Sequence, residues 1–479
     1  MAINYTKTAW VNGTPPAINH TNLNKLEDAV KAAADACDSI IQDTGYKYPG
    51  DNTGQKIAAA LTSAGYSVAP ATGTASLDNI ADGTSYKRLT SAEATQMRAS
   101  PASPWSTPPT IYFKDALRAQ IEFASGGQQT VLYDDVGIPS VMQWIPAFNL
   151  EDIHTDLGTG LHPAFIVNGT AKAGMWIGVY QAKVVSGRAY SWPGQDPTTS
   201  VTFDAAKGYC TAKGAGWHMM TAWEWAAVAL WCLKNGFQPR GNTNYGRSHA
   251  ATYETGTRVD GGIPGSSSGT PRIRTGSGPA SWRHNNTYAG IADLVGNIAE
   301  WNDGFKIIDG RMYFPDDNNF NLAESSWPAR AAYFDATVGP GDRAGSADSG
   351  DPVLSNVAPT KYSETPTPAG GGDTGDFDYA SIGGESGWRS MTYTATYDSM
   401  ELALRQKLAA LMIAPKVSKD GSLVFATQGA VLVRNYGERF SFRGGYWDNG
   451  SDAGLAFLRL FYGRSGSGSA IGFRPAYIA

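Results

Sequence analysis

Charge is scarce in this chain: 17% of its 479 residues are Asp, Glu, Lys or Arg, and the formal net charge is -5. A disordered chain carries more charge and less apolar material, and a nucleic-acid coat carries a basic excess, so both classes are excluded. Cysteine is nearly absent. Cys37, Cys210 and Cys232 are an odd set at wide spacing. That excludes a disulfide framework and a cysteine-rich zinc site, and leaves three small buried residues. The histidines His20, His154, His162, His218, His249 and His284 are scattered without metal-ligand spacing. No apolar run approaches the roughly 18 to 20 residues of a membrane helix, and the opening MAINYTKTAWVNG lacks the apolar core of a secretory signal. The expectation is a soluble protein made in a cytoplasm, without membrane insertion.

What is present is glycine (56 residues), tryptophan (14) and tyrosine (23) on a 42% hydrophobic background. That profile suits a large, loop-rich fold with few helices. Residues 1–45 contain NHTNLNKLEDAVKAAADACDSIIQ, where Leu23, Leu26, Val30, Ala33, Cys37 and Ile40 recur at steps of three and four. Two readings stand: a heptad seam docking on copies of itself, or an ordinary amphipathic helix on its own domain. Residues 46–105 are rich in Gly, Ala, Ser, Thr and Pro and read as a spacer. From 106 onward strand composition appears, in VLYDDVGIPSVMQWIPAF and GMWIGVYQAKVV.

A helix is expected after Thr221, which forms a capping box with Glu224; Trp225, Val228, Ala229 and Cys232 give its face and Gly236 closes it. A second is expected between Ser399 and Pro415, begun by Asp398 or Ser399, with SKDGSLVFA turning into a strand. TGTRVDGGIPGSSSGTPRIRTGSGP and a longer Gly/Pro/Asp stretch near 338–376 run over the surface, either as loops framing a site or as plain insertions.

Three pieces in order, SVTFDAAKGYC…WHMMTAWEWAA, DLVGNIAEWNDG and RGGYWDNGSDAG…IGFRPA, resemble the formylglycine-generating-enzyme type of C-type lectin fold. The resemblance covers about 106–479 and implies an α+β, loop-rich domain. His218, Met219 and Met220 replace the usual Arg-Leu-Pro there, and Ala299 replaces a Trp. The opening AWVNGTPPAINHTNLNKLE is similar to the start of phage tail-fibre proteins, which implies an N-terminal helical trimerisation segment at an attachment end.

The closing segment, about 443–476, resembles the variable region of proteins diversified by retroelements. Arg443, Gly444, Gly445, Trp447, Gly450, Ser451, Ala453, Gly454, Leu458, Leu460, Ile471, Gly472, Phe473 and Arg474 match the fixed positions. Tyr446, Asp448, Asn449, Asp452, Arg459, Phe461, Tyr462, Gly466, Gly468 and Ala470 fall where such proteins vary, and the resemblance implies that they bind ligand. Adenine-directed mutagenesis of Asn-type codons does not reach Lys, Glu, Gln, Met or Trp, and none of these occurs from Asp448 to Ala470. On this reading Phe457, Arg459 and Phe461 form a display face, Trp447 and Phe473 are buried anchors, and Arg474 clamps carbonyls or a carboxylate.

Catalysis is not expected. The oxidase chemistry of that fold needs a cysteine pair near YWDNGSDAG, where Asn449 and Gly454 stand instead, and no Cys follows Cys232. The resemblance also implies a structural calcium held by the Asp293 and Glu300 side chains and the Gly296 and Ile298 carbonyls; the alternative is that these acids cap turns or pair with arginines. The expected protein is a homotrimeric phage tail-fibre receptor-binding protein, a part of the virion that meets a host surface protein or glycan and joins other tail components by its N-terminus. A bacterial or prophage-encoded adhesin of the same fold is the alternative.

Overall fold

The computed structural model describes residues 115–337, 350–359, 380–435 and 437–479. The expected oligomerisation helix in 1–45, the spacer 46–105, the boundary at 106 and most of the second Gly/Pro-rich stretch lie outside the described residues. Those described form a mixed α/β unit with few helices, two large open sheets and two two-stranded ribbons.

The first sheet has five antiparallel strands in the spatial order Gln129–Tyr133, Pro139–Pro146, Gly174–Gly178, Pro475–Tyr477, Trp217–Met219. Its leading hairpin follows from YDDVG: Asp134 Oδ1 accepts the Val136 and Ile138 amides (3.1 and 2.7 Å), and Gly137 takes φ +83°. The chain's last strand inserts between the Gly174–Gly178 and Trp217–Met219 strands.

The second sheet has ten strands, with Ala299–Ile308 at its centre. On one side lie Glu438–Gly444, Gly454–Leu460, Val431–Val433 and the edge strand Ala380–Ile382. On the other lie Arg311–Tyr313, Ala329–Ala336, Pro352–Ser355 and Thr392–Tyr393. Ile471–Phe473 joins the central strand in parallel. Hydrophobic residues of this sheet feed two clusters. The larger gathers Val431, Leu458 and Leu460 with the helix Ala222–Lys234; the smaller gathers Phe203, Trp301, Phe440, Phe442, Phe457 and Phe473.

The capping box forms: Thr221 Oγ1 accepts the Glu224 amide (3.1 Å), and Glu224 Oε2 accepts the Thr221 amide (2.9 Å). Trp223 and Trp225 on this helix are buried, each contributing on the order of 2 to 3 kcal/mol by the apolar area removed from water. The second helix is shorter than expected. It spans Leu402–Ala410, after a separate turn at Tyr397–Ser399, and Glu401 rather than Asp398 or Ser399 precedes it. It ends well before Pro415, where Met412 turns to φ +53°. The strand expected in SLVFA is absent: the segment is irregular, and pairing begins at Val431. Cys210 and Cys232 are buried free thiols.

Candidate functional site

The strand Gly454–Leu460 is not at an edge. Val431–Val433 pairs with it in parallel and Glu438–Gly444 in antiparallel register, so that Arg459 lies opposite both Leu432 and Phe442. Backbone ladders on both sides fix its path whatever its side chains are. Gly444 and Gly445 make the exit from the preceding strand, at φ +86° and +81°. A Cβ on Gly444 would stand 2.5 Å from Leu294 O. These two positions need glycine for both reasons.

Two buried arginines brace this frame. Arg474 donates to both Glu300 oxygens (2.6 and 2.9 Å) and to the carbonyls of Gly178, Val179 and Ala292 (2.8, 2.9 and 2.9 Å), as the sequence anticipated. Arg443 pairs with no carboxylate among the described residues. It donates to Leu411 O and Met412 O (3.1 and 3.2 Å), the carbonyl-rich end of the Leu402–Ala410 helix, while burial lowers its hold on the proton.

The residues expected to vary divide into groups. Tyr446, Arg459, Phe461 and Tyr462 are half-buried and adjoin one another. Arg459 Nη1 donates to the Tyr446 hydroxyl (2.8 Å), and its guanidinium lies 5.6 and 5.9 Å from the Tyr446 and Phe461 ring centres. Phe461 meets Tyr462 edge-on at 5.0 Å and is covered by the Arg434 guanidinium at 3.7 Å. Asp448 is exposed. Asn449 and Asp452 instead hold the loop: Asn449 Oδ1 accepts the Tyr446 amide (2.9 Å), and Asp452 Oδ1 accepts the Gly384 amide (2.5 Å).

Gly466 is a correction. It is buried, and a Cβ there would stand 2.4 Å from Cβ of Tyr462, so it serves the turn and displays nothing. Gly468 and Ala470 are half-buried, and their carbonyls accept the Ser200 and Ala299 amides (2.9 and 2.8 Å). The display face also needs correcting. Phe457 is 2% exposed within the smaller cluster, so only Arg459 and Phe461 emerge from it. Trp447 is half-buried rather than a core anchor; Tyr245 N donates to its carbonyl (2.7 Å).

That contact brings in a loop that composition left open. Residues 241–272 are ordered around Arg258, whose guanidinium binds Asp260 and the carbonyls of Ile263, Ser266 and Ser268. The loop reaches the variable segment through Tyr245 and through Thr243 O, which accepts the Gly450 amide (2.9 Å). Arg464 was also missed by the sequence reading. It bonds Asp204 and Glu324 (2.6 and 2.5 Å), fastening the end of the segment to its domain. The partners Asp204 and Glu324 lie 260 and 140 residues away, and a third, Glu438 at 3.5 Å, is on another strand, so no local pattern signals them.

The four residues expected to hold calcium do not fit a cation. Gln181 Nε2 donates to the carbonyls of Asp293 and Ile298 (3.1 and 2.9 Å) and to Glu300 Oε1 (3.0 Å). Asn297 Nδ2 fixes that amide by donating to its oxygen (2.7 Å). Glu300 is already paired with Arg474, Asp293 Oδ2 accepts the Gly276 amide (2.7 Å), and Gly296 lies against Asn242. A positive guanidinium and an amide N–H group stand against the oxygens that hard-cation binding requires. Among the described residues no other cluster of His, Cys, Asp or Glu has metal-binding character.

No family model matches the chain, and no curated protein is similar to it. Solved structures with some likeness include Treponema denticola variable protein 1, at 11% identity over 73% of this chain and 98% of that one, TM-score 0.26. The Major Tropism Determinant U1 variant is 12% identical over 70% of this chain and 62% of its own, TM-score 0.24. The M1 variant is 12% identical over 73% and 71%, TM-score 0.25. The likeness is slight.

Proposed function

We propose that the chain is a ligand-binding protein whose segment 443–476 presents a recognition surface, as the receptor-binding part of a phage tail fibre with a C-type lectin fold of the formylglycine-generating-enzyme type. The observation that carries this is the contiguity of Tyr446, Arg459, Phe461 and Tyr462, all half-exposed, about a strand held from both sides at Arg459. Tyr and Arg in such settings dominate binding energy, and a rigid frame lets them vary without refolding. A homotrimer formed through the N-terminal heptads gives three such surfaces and the avidity that a cell surface rewards. The ligand is then a host protein or glycan, and the work is binding rather than catalysis.

The test is adsorption of the labelled full chain to a panel of bacterial cells. The triple variant Tyr446→Ala, Phe461→Ala, Tyr462→Ala is expected to lose at least tenfold in adsorption to any cell that the parent binds. Unchanged adsorption removes the surface from consideration. Light scattering of the full chain checks the trimer independently.

A further inference from the structure

Beside the ring cluster lies a recess of about 130 Å³, lined by Ile382, Ala430, Leu432, Phe457, Asp452 and Arg459 among others. It is smaller than the roughly 300 to 1,000 Å³ of small-molecule sites, so a single inserted side chain suits it better than a whole ligand. Its apolar wall is supplied by Phe457, Leu432 and Ala430. Its cationic group is Arg459.

The charges nearby nearly cancel. Arg459 and Arg434 stand against Asp448 and Asp452, so long-range attraction does not select the guest. Direction does. A guanidinium offers five N–H groups in a planar fork, and Arg459 has one acceptor among the described residues, the Tyr446 hydroxyl at 2.8 Å. Asp452 is engaged by the Gly384 amide and does not form an ion pair with Arg459. The Tyr446 contact fixes one Nη and leaves the rest of the fork to a partner. A planar acceptor with two oxygens matches that edge, and a carboxylate matches it with charge as well.

We infer that the recess receives an acidic side chain of a protein partner, its methylene stem against Phe457 and Leu432 and its carboxylate on the Arg459 fork. This rests on the recognition surface proposed above and names its anchor chemistry.

The experiment uses the full chain labelled with ¹⁵N-arginine, with the Arg459 Nε–H signal assigned by its loss in Arg459→Gln, and propionate as the probe. Titration at constant ionic strength is expected to give a saturable shift of that signal with a half-point on the order of 10 mM, typical of a five-atom ligand. Propionamide, of the same shape without the charge, is expected to give less than a tenth of the effect. Absence of a saturable shift with propionate, or an equal shift with propionamide, overturns the inference. The two proposals separate in the outcomes. If the triple variant loses adsorption and propionate leaves Arg459 undisturbed, the surface stands and the acidic anchor falls. A propionate shift together with unchanged adsorption of the triple variant overturns the recognition surface and, with it, the protein partner, leaving only a recess that takes a carboxylate.

Discussion

Arg474 and Glu300 face each other as a two-point ion pair, at 2.6 and 2.9 Å, with neither side chain more than 1% exposed. The pair joins the third residue from the end of Ile471-Gly-Phe-Arg-Pro-Ala to the centre of the larger sheet, and three carbonyls complete the arginine's donors.

Removing one partner leaves the other charge buried. Arg474→Met is therefore expected to cost about 3 to 5 kcal/mol in unfolding free energy. Arg474→Met with Glu300→Met is expected to recover only part of that, because the carbonyls of Gly178, Val179 and Ala292 lose the arginine's N–H groups, Val179 O keeping only the Ala292 amide (2.9 Å). Urea denaturation followed by tryptophan fluorescence measures both. Full recovery in the double variant would show that the carbonyl contacts contribute nothing.

Frame and surface positions of the segment 443–476 are expected to separate in stability. Phe457→Ala empties a core position and should cost about 3 to 5 kcal/mol. Phe461→Ala and Tyr462→Ala, half-buried, should each cost about 1 kcal/mol. Trp447→Ala belongs with the second group on exposure. Thermal unfolding of the four variants gives the ranking, and equal losses at Phe457 and Phe461 would contradict it.

Lys213 is buried, and among the described residues no carboxylate forms an ion pair with it; its ammonium lies 3.4 Å over the Trp217 ring and 2.6 Å from Ser140 Oγ. Burial pushes its pKa down to about 7, with nearby Cys210 and Asp134 working against that shift. Between pH 7 and 10.5 the unfolded chain holds more of this proton, so this residue makes stability rise with pH, by at most about 1.4 kcal/mol per unit. Lys213→Met should remove this residue's share of the slope in that window. Denaturation midpoints at pH 7, 8 and 9 compare the two proteins.

His162 and His284 act in the opposite range. Burial depresses them to about 4 and about 3, and Nδ1 of each accepts a backbone amide, from Ala164 and Ile291. Their neutral forms are stabilised in the folded protein, so stability is whole above the ordinary value of 6.5 and is lost as pH falls from there to about 4. Each contributes at most about 1.4 kcal/mol per pH unit to that loss. His162→Asn should flatten the acid limb, and an unchanged limb in the variant would remove the residue from the account.

The sequence made short-range devices legible. Thr221 and Glu224 lie three apart, and their box needs no tertiary information. Arg474 was legible for another reason: a guanidinium in a dense apolar strand pattern must find acceptors. Phe457 was misread because alternation distinguishes two faces but not what covers them, and here Trp301, Phe442 and Phe473 come from distant segments to do so. The Asp293–Glu300 spacing was equally silent about Gln181, which arrives from over a hundred residues earlier. At Leu402 the start was misplaced because Tyr397–Ser399 makes its own tight turn and competes for the cap.

The strand Gly454–Leu460 is stitched to a neighbour along each flank, so exchanging its one half-exposed residue, Arg459, alters chemistry without altering pose. Every variant at 459 inherits one launch point for its side chain. Differences in partner choice between two such variants can therefore be read as differences in that group alone, a comparison that floppy binding loops do not permit.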